Sequence, residues 1–210
     1  MKILITGANG LLGHELISVL KNGHTLILLS HSQLDISDVE SVNKQIDSSL
    51  PDIIINSAAY TQVDLCESNY DLAFKSNALG PKNLAIKCKL LGIPLIHIST
   101  DYVFEGNEKN KKPLEENDKL GPKTVYGKTK LEGENFVKEN CDKYFILRTA
   151  WLYGEGKNFV KTMINLSKKN KELKVFNDQI GSPTYAKDLA KAIKEIIDKK
   201  SEKYGIYHVT

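Results

Sequence analysis

The chain has 210 residues, 41% of them hydrophobic and 26% charged, which suits one large domain, or a domain with a small lobe, and excludes a disordered chain. Its 29 Lys and Arg against 26 Asp and Glu leave a formal charge of +3. The basic residues gather only at Lys109, Lys111 and Lys112 and in the stretches 168–174 and 199–203, which read as solvated faces and not as nucleic-acid contacts.

No run of about 18 apolar residues is present to span a membrane. Met1-Lys2-Ile3-Leu4-Ile5 opens directly on a strand, with no basic-then-apolar leader before it. Cys66, Cys88 and Cys141 have the spacing of neither a disulfide framework nor a metal site. A reduced, cytoplasmic protein is expected.

Short apolar, β-rich runs recur along the chain at Lys2–Ile5, Thr25–Leu29, Ile53–Asn56, Leu95–Ile98 and Tyr144–Leu147. Between them Leu11–Leu20, Val39–Ile46 and Leu84–Leu91 carry helical periodicity. Continuous apolar strands alternating with helices predict an α/β fold, a doubly wound parallel sheet of Rossmann type covered on both faces. After residue 150 the pattern loosens to a helix at Asn158–Ser167, a short strand at Lys174–Phe176, a break at Gly181-Ser182-Pro183, a helix at Tyr185–Asp198 and a strand-like run at Gly205–Thr210. The expected division is therefore a dinucleotide-binding domain over 1–150 and a small, incomplete substrate lobe over 151–210.

Three glycines, Gly7, Gly10 and Gly13, fall at i, i+3 and i+6 where the first strand meets the first helix. The first allows a tight turn, the second a close approach of pyrophosphate to backbone, and the third close packing of helix on sheet. The helix then presents open N–H groups and its positive end to the phosphates. The second strand ends at Leu28-Leu29-Ser30-His31-Ser32 without a carboxylate for a ribose 2′-hydroxyl. Asp35 lies just past it, and no Arg is there for a 2′-phosphate, so NADH and NADPH both stay open. Ile53 to Tyr60 is a strand that ends in small residues, Ser57, Ala58 and Ala59, which suit either a flat cofactor or tight helix packing.

Tyr126 and Lys130 stand at i and i+4 and so share one face of a helix running to about Glu139. A lysine ammonium there is expected to lower the tyrosine pKa from ~10 towards the working pH and to hold cofactor ribose hydroxyls. The run Ser99-Thr100-Asp101-Tyr102-Val103-Phe104 puts hydroxyls at the C-terminal edge of a strand, where parallel sheets bind ligands. Thr100 is either a hydrogen-bond partner for a substrate carbonyl or a turn cap. His97 reads as a core histidine, Asn77 as an amide that satisfies local backbone, and Trp151 as a core aromatic or a substrate platform. Carboxylate and thiol nucleophile schemes have no comparable support.

With Leu34-Asp35-Ile36, Arg148-Thr149-Ala150-Trp151-Leu152-Tyr153 and Asn177-Asp178-Gln179-Ile180-Gly181-Ser182-Pro183-Thr184, these segments resemble, in order and across nearly the whole chain, the extended short-chain dehydrogenase/reductases and closely the dTDP-4-dehydrorhamnose reductase family. The resemblance implies reduction of the 4-keto group of a dTDP-sugar by NADPH or NADH, in nucleotide-sugar and surface polysaccharide biosynthesis. Residue by residue it makes Tyr126 the proton donor, Lys130 its modulator and a ribose ligand, and Thr100 the carbonyl partner. Gly7, Gly10, Leu11, Leu12 and Gly13 would meet the pyrophosphate, Asp35 and Ile36 the adenine side, and Ala58, Ala59, Tyr60 and Asn77 the middle of the cofactor. Asp101 and Trp151 would contact the sugar nucleotide. A Mg2+ ion and a homodimer are further expectations. The other readings are a non-catalytic cofactor-binding regulatory subunit, similar to those of methionine adenosyltransferase, and a reductase or epimerase of another nucleotide sugar.

Overall fold

A computed structural model describes residues 1–106, 112–156 and 158–210; Lys109 and Lys111 lie outside them. Six parallel strands form one sheet in the order β2-β1-β3-β4-β5-β8. They are β1 (Lys2–Thr6), β2 (Thr25–Leu29), β3 (Ile53–Asn56), β4 (Leu95–Thr100), β5 (Tyr144–Thr149) and β8 (Gly205–His208). A two-stranded parallel pair, β6 (Leu152–Tyr153) and β7 (Thr184–Tyr185), stands apart. Helices α1 (Leu11–Leu20), α2 (Val39–Ser49), α5 (Gly80–Leu91), α6 (Val125–Asn140) and α8 (Ala186–Asp198) cover the main sheet, and α3 (Val63–Ser68), α4 (Tyr70–Phe74) and α7 (Phe159–Ser167) lie in the connections.

The alternation of side chains along each strand fills two cores. Ile3, Ile5, Ile53, Ile55, Ile96, Phe145 and Leu147 face α1 and α8, meeting Leu12, Leu16, Leu189 and Ile193. Leu4, Ile54, Leu95 and Ile146 point the other way, onto Val42, Ile46, Leu84 and Val137 of α2, α5 and α6. The uninterrupted apolar runs are thus buried on both faces, as a parallel sheet requires. Strand starts agree with the sequence reading, β4 and β5 each run two residues further, to Thr100 and Thr149, and α5 begins at Gly80, four residues before the Leu84 expected. Among the described residues no helix is long and apolar enough to cross a membrane.

Two expectations are corrected. A boundary at residue 150 is not a structural one, because α8 packs on α1 and β8 pairs with β5, Ile146 opposite Ile206. Among the described residues after 150, β6 and β7 form a separate two-stranded sheet. Lys174–Phe176 is not a strand: it has no neighbouring strand to complete a ladder, and Phe176 is 86% exposed.

One stretch carries structure that helical periodicity does not signal. From Tyr70 to Leu91 the chain is helical throughout, but Lys75–Leu79 winds as a π-helical turn between α4 and α5. Such turns insert a residue into the helical register and often mark functional sites. This one carries Asn77.

Candidate functional site

In a sheet of this order the ligand crevice opens where connections leave in opposite directions, between β1 and β3. The turn after β1 supports that use. Gly7 has φ +64°, and a Cβ on it would stand 2.8 Å from Ala58 N; a Cβ on Gly13 would stand 2.5 Å from Ala8 O. Gly10 precedes α1 in extended backbone with no side chain capping the helix, so the N–H groups of Leu11, Leu12 and Gly13 have neither helical nor side-chain acceptors. A bare, positively polarised helix end beside a backbone no side chain could occupy fits a pyrophosphate.

The rim of this cradle is held by polar bonds. Thr6 Oγ1 donates to Asn56 Oδ1 at 2.7 Å, Ser57 Oγ to Thr6 O at 2.6 Å, and Ala58 N to Asn56 Oδ1 at 3.2 Å. The remaining amide of Asn56 meets His97 Nδ1 at 3.1 Å. His97 is fully buried, and burial, with Lys130 nearby, pushes its pKa well below the usual value. It is the core histidine expected. Ala58 and Ala59 line the edge, half-buried.

Asn77 does not open on the crevice. Its Oδ1 accepts from Tyr60 N at 2.8 Å and its Nδ2 donates to Tyr60 O at 3.0 Å, with Thr129 Oγ1 3.3 Å away. The amide is consumed in pinning the Tyr60 backbone, so Asn77 positions the crevice and is corrected from a cofactor ligand to a support. The side chain of Ile36 is buried against Gly80, and its carbonyl accepts from Asn83 Nδ2 at 3.0 Å. Asp35 stays at the rim, its Oδ1 taking Ser37 N at 2.9 Å and Ser37 Oγ at 2.8 Å. Burial raises its pKa, but those two bonds, with His31 and Lys75, outweigh it and leave the carboxylate below its usual range.

Helix α6 brings the reactive pair to β4. Thr124 Oγ1 accepts from Gly127 N at 3.0 Å, and Glu67 of α3 accepts from Val125 N at 2.8 Å, so two side chains hold its first turn. Gly127 lies against Tyr102 O and Gly133 against Asn77 O, so closely that a Cβ on either would overlap that oxygen. These contacts set α6 down on the 3-10 turn Asp101–Val103 and on the π turn, with Tyr126 beside Thr100 and Lys130 beneath.

Lys130 is buried, and its Nζ donates to Ile98 O at 2.6 Å. Burial pushes its pKa down to about 8, against the pull of Glu134. Tyr126 departs from the expected lowered pKa. Burial pushes the phenol well up, the bond with Thr100 lowers it only in part, and Asp101, Cys66 and Tyr102 raise it further. With one N–H on the Ile98 carbonyl, the ammonium does not offset that burial in the resting site, and the lowered phenol pKa that the i, i+4 spacing suggested is not found. Thr100 is a turn cap, its hydroxyl accepting from Tyr102 N at 3.2 Å while donating to Asp101 Oδ1 at 3.0 Å. Asp101 is raised by burial against the pull of these hydrogen bonds.

Trp151 is not a core residue. It adopts φ +45° just past β5 and is 43% exposed, with its ring edge over Gly181. A left-handed backbone at a bulky residue is strained and turns the indole out to solvent.

Two site residues escaped the sequence reading. Glu134 and Arg148 form a bidentate pair buried under Lys130, with Nε to Oε1 at 2.9 Å and Nη2 to Oε2 at 2.7 Å. The signal was present, because Glu134 continues the Tyr126, Lys130 series by one more step of four. Among the described residues no group of three or more His, Cys, Asp or Glu side chains is placed to hold a metal ion, and Mg2+ finds no support.

Known proteins share this fold. The family model described as the RmlD substrate binding domain matches residues 1–210. The chain is 45% identical over its whole length to the spore coat polysaccharide biosynthesis protein SpsK of Bacillus subtilis (strain 168), covering 73% of it. Among solved structures, a dTDP-4-dehydrorhamnose reductase from Clostridium acetobutylicum is 53% identical with a TM-score of 0.95, and one from Bacillus anthracis str. Ames in complex with NADP is 44% identical with a TM-score of 0.94. Both alignments cover all of this chain and 74% of the other. The family model spans the whole chain and relatives at these identities are covered to more than two thirds, so the chain belongs to the dTDP-4-dehydrorhamnose reductase family.

Proposed function

We propose that the protein reduces the 4-keto group of dTDP-4-dehydrorhamnose to the alcohol of dTDP-L-rhamnose, in activated-sugar and polysaccharide synthesis. The observation that carries this reading is the meeting of Tyr126, Lys130 and Thr100 at the C-terminal edge of β4, beside a glycine cradle shaped for a pyrophosphate. Bound NADPH or NADH supplies the hydride that reduces the carbonyl carbon.

The residues supply the rest. A reduction needs a proton in place beforehand, and a phenol held above its ordinary pKa is fully protonated at neutral pH. Tyr126 gives that proton to the carbonyl oxygen as the C–H bond forms. The phenolate left behind is stabilised by the positive charge of Lys130, and by the Thr100 hydroxyl as it turns from Asp101 Oδ1 to the phenolate oxygen. Lys130 spends one N–H on Ile98 O and keeps two for ribose hydroxyls. Gly7, Gly10, Leu11, Leu12 and Gly13 hold the pyrophosphate, and Ala58, Ala59 and Tyr60 the middle of the cofactor. Asp35 lies towards the adenine side, with the backbone of Ile36. The exposed indole of Trp151 and the carboxylate of Asp101 are offered to the sugar nucleotide.

The test follows absorbance at 340 nm with NADPH, then NADH, against enzymatically made dTDP-4-dehydrorhamnose. Sugar-dependent oxidation is expected, with Tyr126→Phe slowed by roughly 10²–10⁴ at nearly unchanged cofactor affinity. Cofactor binding without turnover would overturn the reductase reading in favour of a regulatory subunit, and full activity in Tyr126→Phe would remove the proton donor.

A further inference from the structure

Beneath the reactive pair lies a second buried charge system that the proposed chemistry does not use. Helix α6 carries Tyr126, Lys130 and Glu134 at successive steps of four, so the three side chains descend one face into the protein. Glu134 is fully buried and Arg148, on the neighbouring strand β5, is 1% exposed. Besides its two bonds to Arg148, Glu134 Oε1 accepts from Ser99 Oγ at 2.6 Å. Arg148 also donates Nη1 to Glu116 O at 3.1 Å and lies over the Phe104 ring.

A buried ion pair of this kind is a poor stability device, because desolvating both charges offsets most of their attraction and apolar residues of like volume often serve as well. Its location indicates another use. Ser99 stands between Ile98, whose carbonyl receives the Lys130 ammonium, and Thr100, which is hydrogen-bonded with Tyr126. Glu134 therefore grips β4 at the one residue between the two contacts of the reactive pair. Besides burial, Glu134 is the charge that bears on Lys130, which in turn acts on His97 of β4; Asp101, Cys66 and Tyr102 face Tyr126. With His97 held neutral by burial and Arg148 paired with the carboxylate, Glu134 is, among the described residues, the anion acting on the buried ammonium.

We infer that Glu134 is a positioning residue of the reductase site, holding Lys130 in its charged form and β4 in register through Ser99, with Arg148 as the counterion that orients it. Charge on Lys130 is what steadies the Tyr126 phenolate, so Glu134 sets the high-pH limit of the reaction. Without the carboxylate, desolvation acts unopposed, and the ammonium loses its proton at lower pH.

The inference rests on the reductase reading for its kinetic arm only, and a second arm reads Lys130 directly. In uniformly labelled protein the 13Cε resonance of Lys130, assigned by its loss in Lys130→Met, is titrated for wild type and for Glu134→Gln. The midpoint is expected to fall by at least about one pH unit in the variant. Ser99→Ala, which removes a hydrogen bond but no charge, should leave it in place. If Glu134→Gln alone fails to fold because Arg148 is left bare, Glu134→Gln/Arg148→Met removes both charges and is expected to show the same fall. In parallel, the alkaline limb of kcat should move to lower pH by the same amount with KM little changed. An unmoved Lys130 midpoint, or a variant that loses thermal stability without displacing the limb, would reduce the pair to a structural staple. A wild-type protein that turns over no dTDP-4-dehydrorhamnose would overturn the reductase reading while leaving the titration to decide the role of Glu134.

Discussion

At His97 the ring Nδ1 accepts from Asn56 Nδ2, an orientation set by the other end of the amide, where Oδ1 takes the Thr6 hydroxyl. The proton of the neutral ring is then on Nε2, which is buried without a partner. Charging this ring in the folded protein is costly, whereas the unfolded chain charges it near pH ~6.5. The folded pKa lies below the unfolded one, so between the two the unfolded state binds more protons and stability falls as pH falls. We expect the urea midpoint to drop from pH 7.5 to pH 5, and His97→Gln, which cannot take a charge, to show a shallower drop. Equal slopes would place the acid sensitivity elsewhere. Residue identities and the Tyr126–Lys130 spacing were legible in the sequence, because a helix puts i and i+4 on one face. The direction of the Tyr126 pKa was not, because it depends on burial and on where the ammonium points, and both are set by α6 docking on β4. Trp151 was undecided for a similar reason: its exposure follows from a left-handed backbone that no local motif announces.

Between elements, the position of α6 is decided by two absent side chains. Gly133 sits against the Asn77 carbonyl and Gly127 against the Tyr102 carbonyl, both backbone oxygens that cannot turn aside. Gly133→Ala should therefore push α6 off the π turn, costing about 1–3 kcal/mol and loosening the Tyr60 backbone that Asn77 pins. A lowered melting temperature with weakened NADPH binding is expected, and a variant with wild-type melting and binding would show that the two segments are not held in contact. The helices α1 and α5 and the strand cores were legible from periodicity. The 63–79 connection was not, because three short segments with changing helical pitch never complete the 3.6-residue pattern that marks a helix.

For the molecule as a whole, the last described helix belongs to the first. Leu189, Ala190, Ile193 and Ile197 of α8 are buried with Leu12, Leu16 and Leu20 of α1. Composition loosens after residue 150, which hid this, since the amphipathic pattern of α8 says that it packs but not on what. Ile193→Ala should lower the global unfolding free energy by about 2–5 kcal/mol, read from chemical denaturation followed by both far-UV signal and Trp151 fluorescence. A loss below about 1 kcal/mol, or two separate transitions, would restore α8 to an independent lobe. Between the main sheet's β5 and α8 the chain leaves Phe159, Ile164, Phe176 and Ile180 exposed.

The pairing of α1 with α8 also bears on how the chain is made. Ile3, Ile5, Ile53 and Ile55 all face the layer that α1 and α8 share, so that layer stays half-built until the residues of α8 have been synthesised. At about 5–20 residues per second, the interval between the emergence of the two helices lasts roughly 10–35 s. During that time a nascent chain displays a strip of isoleucine with only one helix over it. Closing it is a long-range step of the kind that folds slowly, so folding completes late, and the ribosome-bound stage is when the protein is most exposed to aggregation.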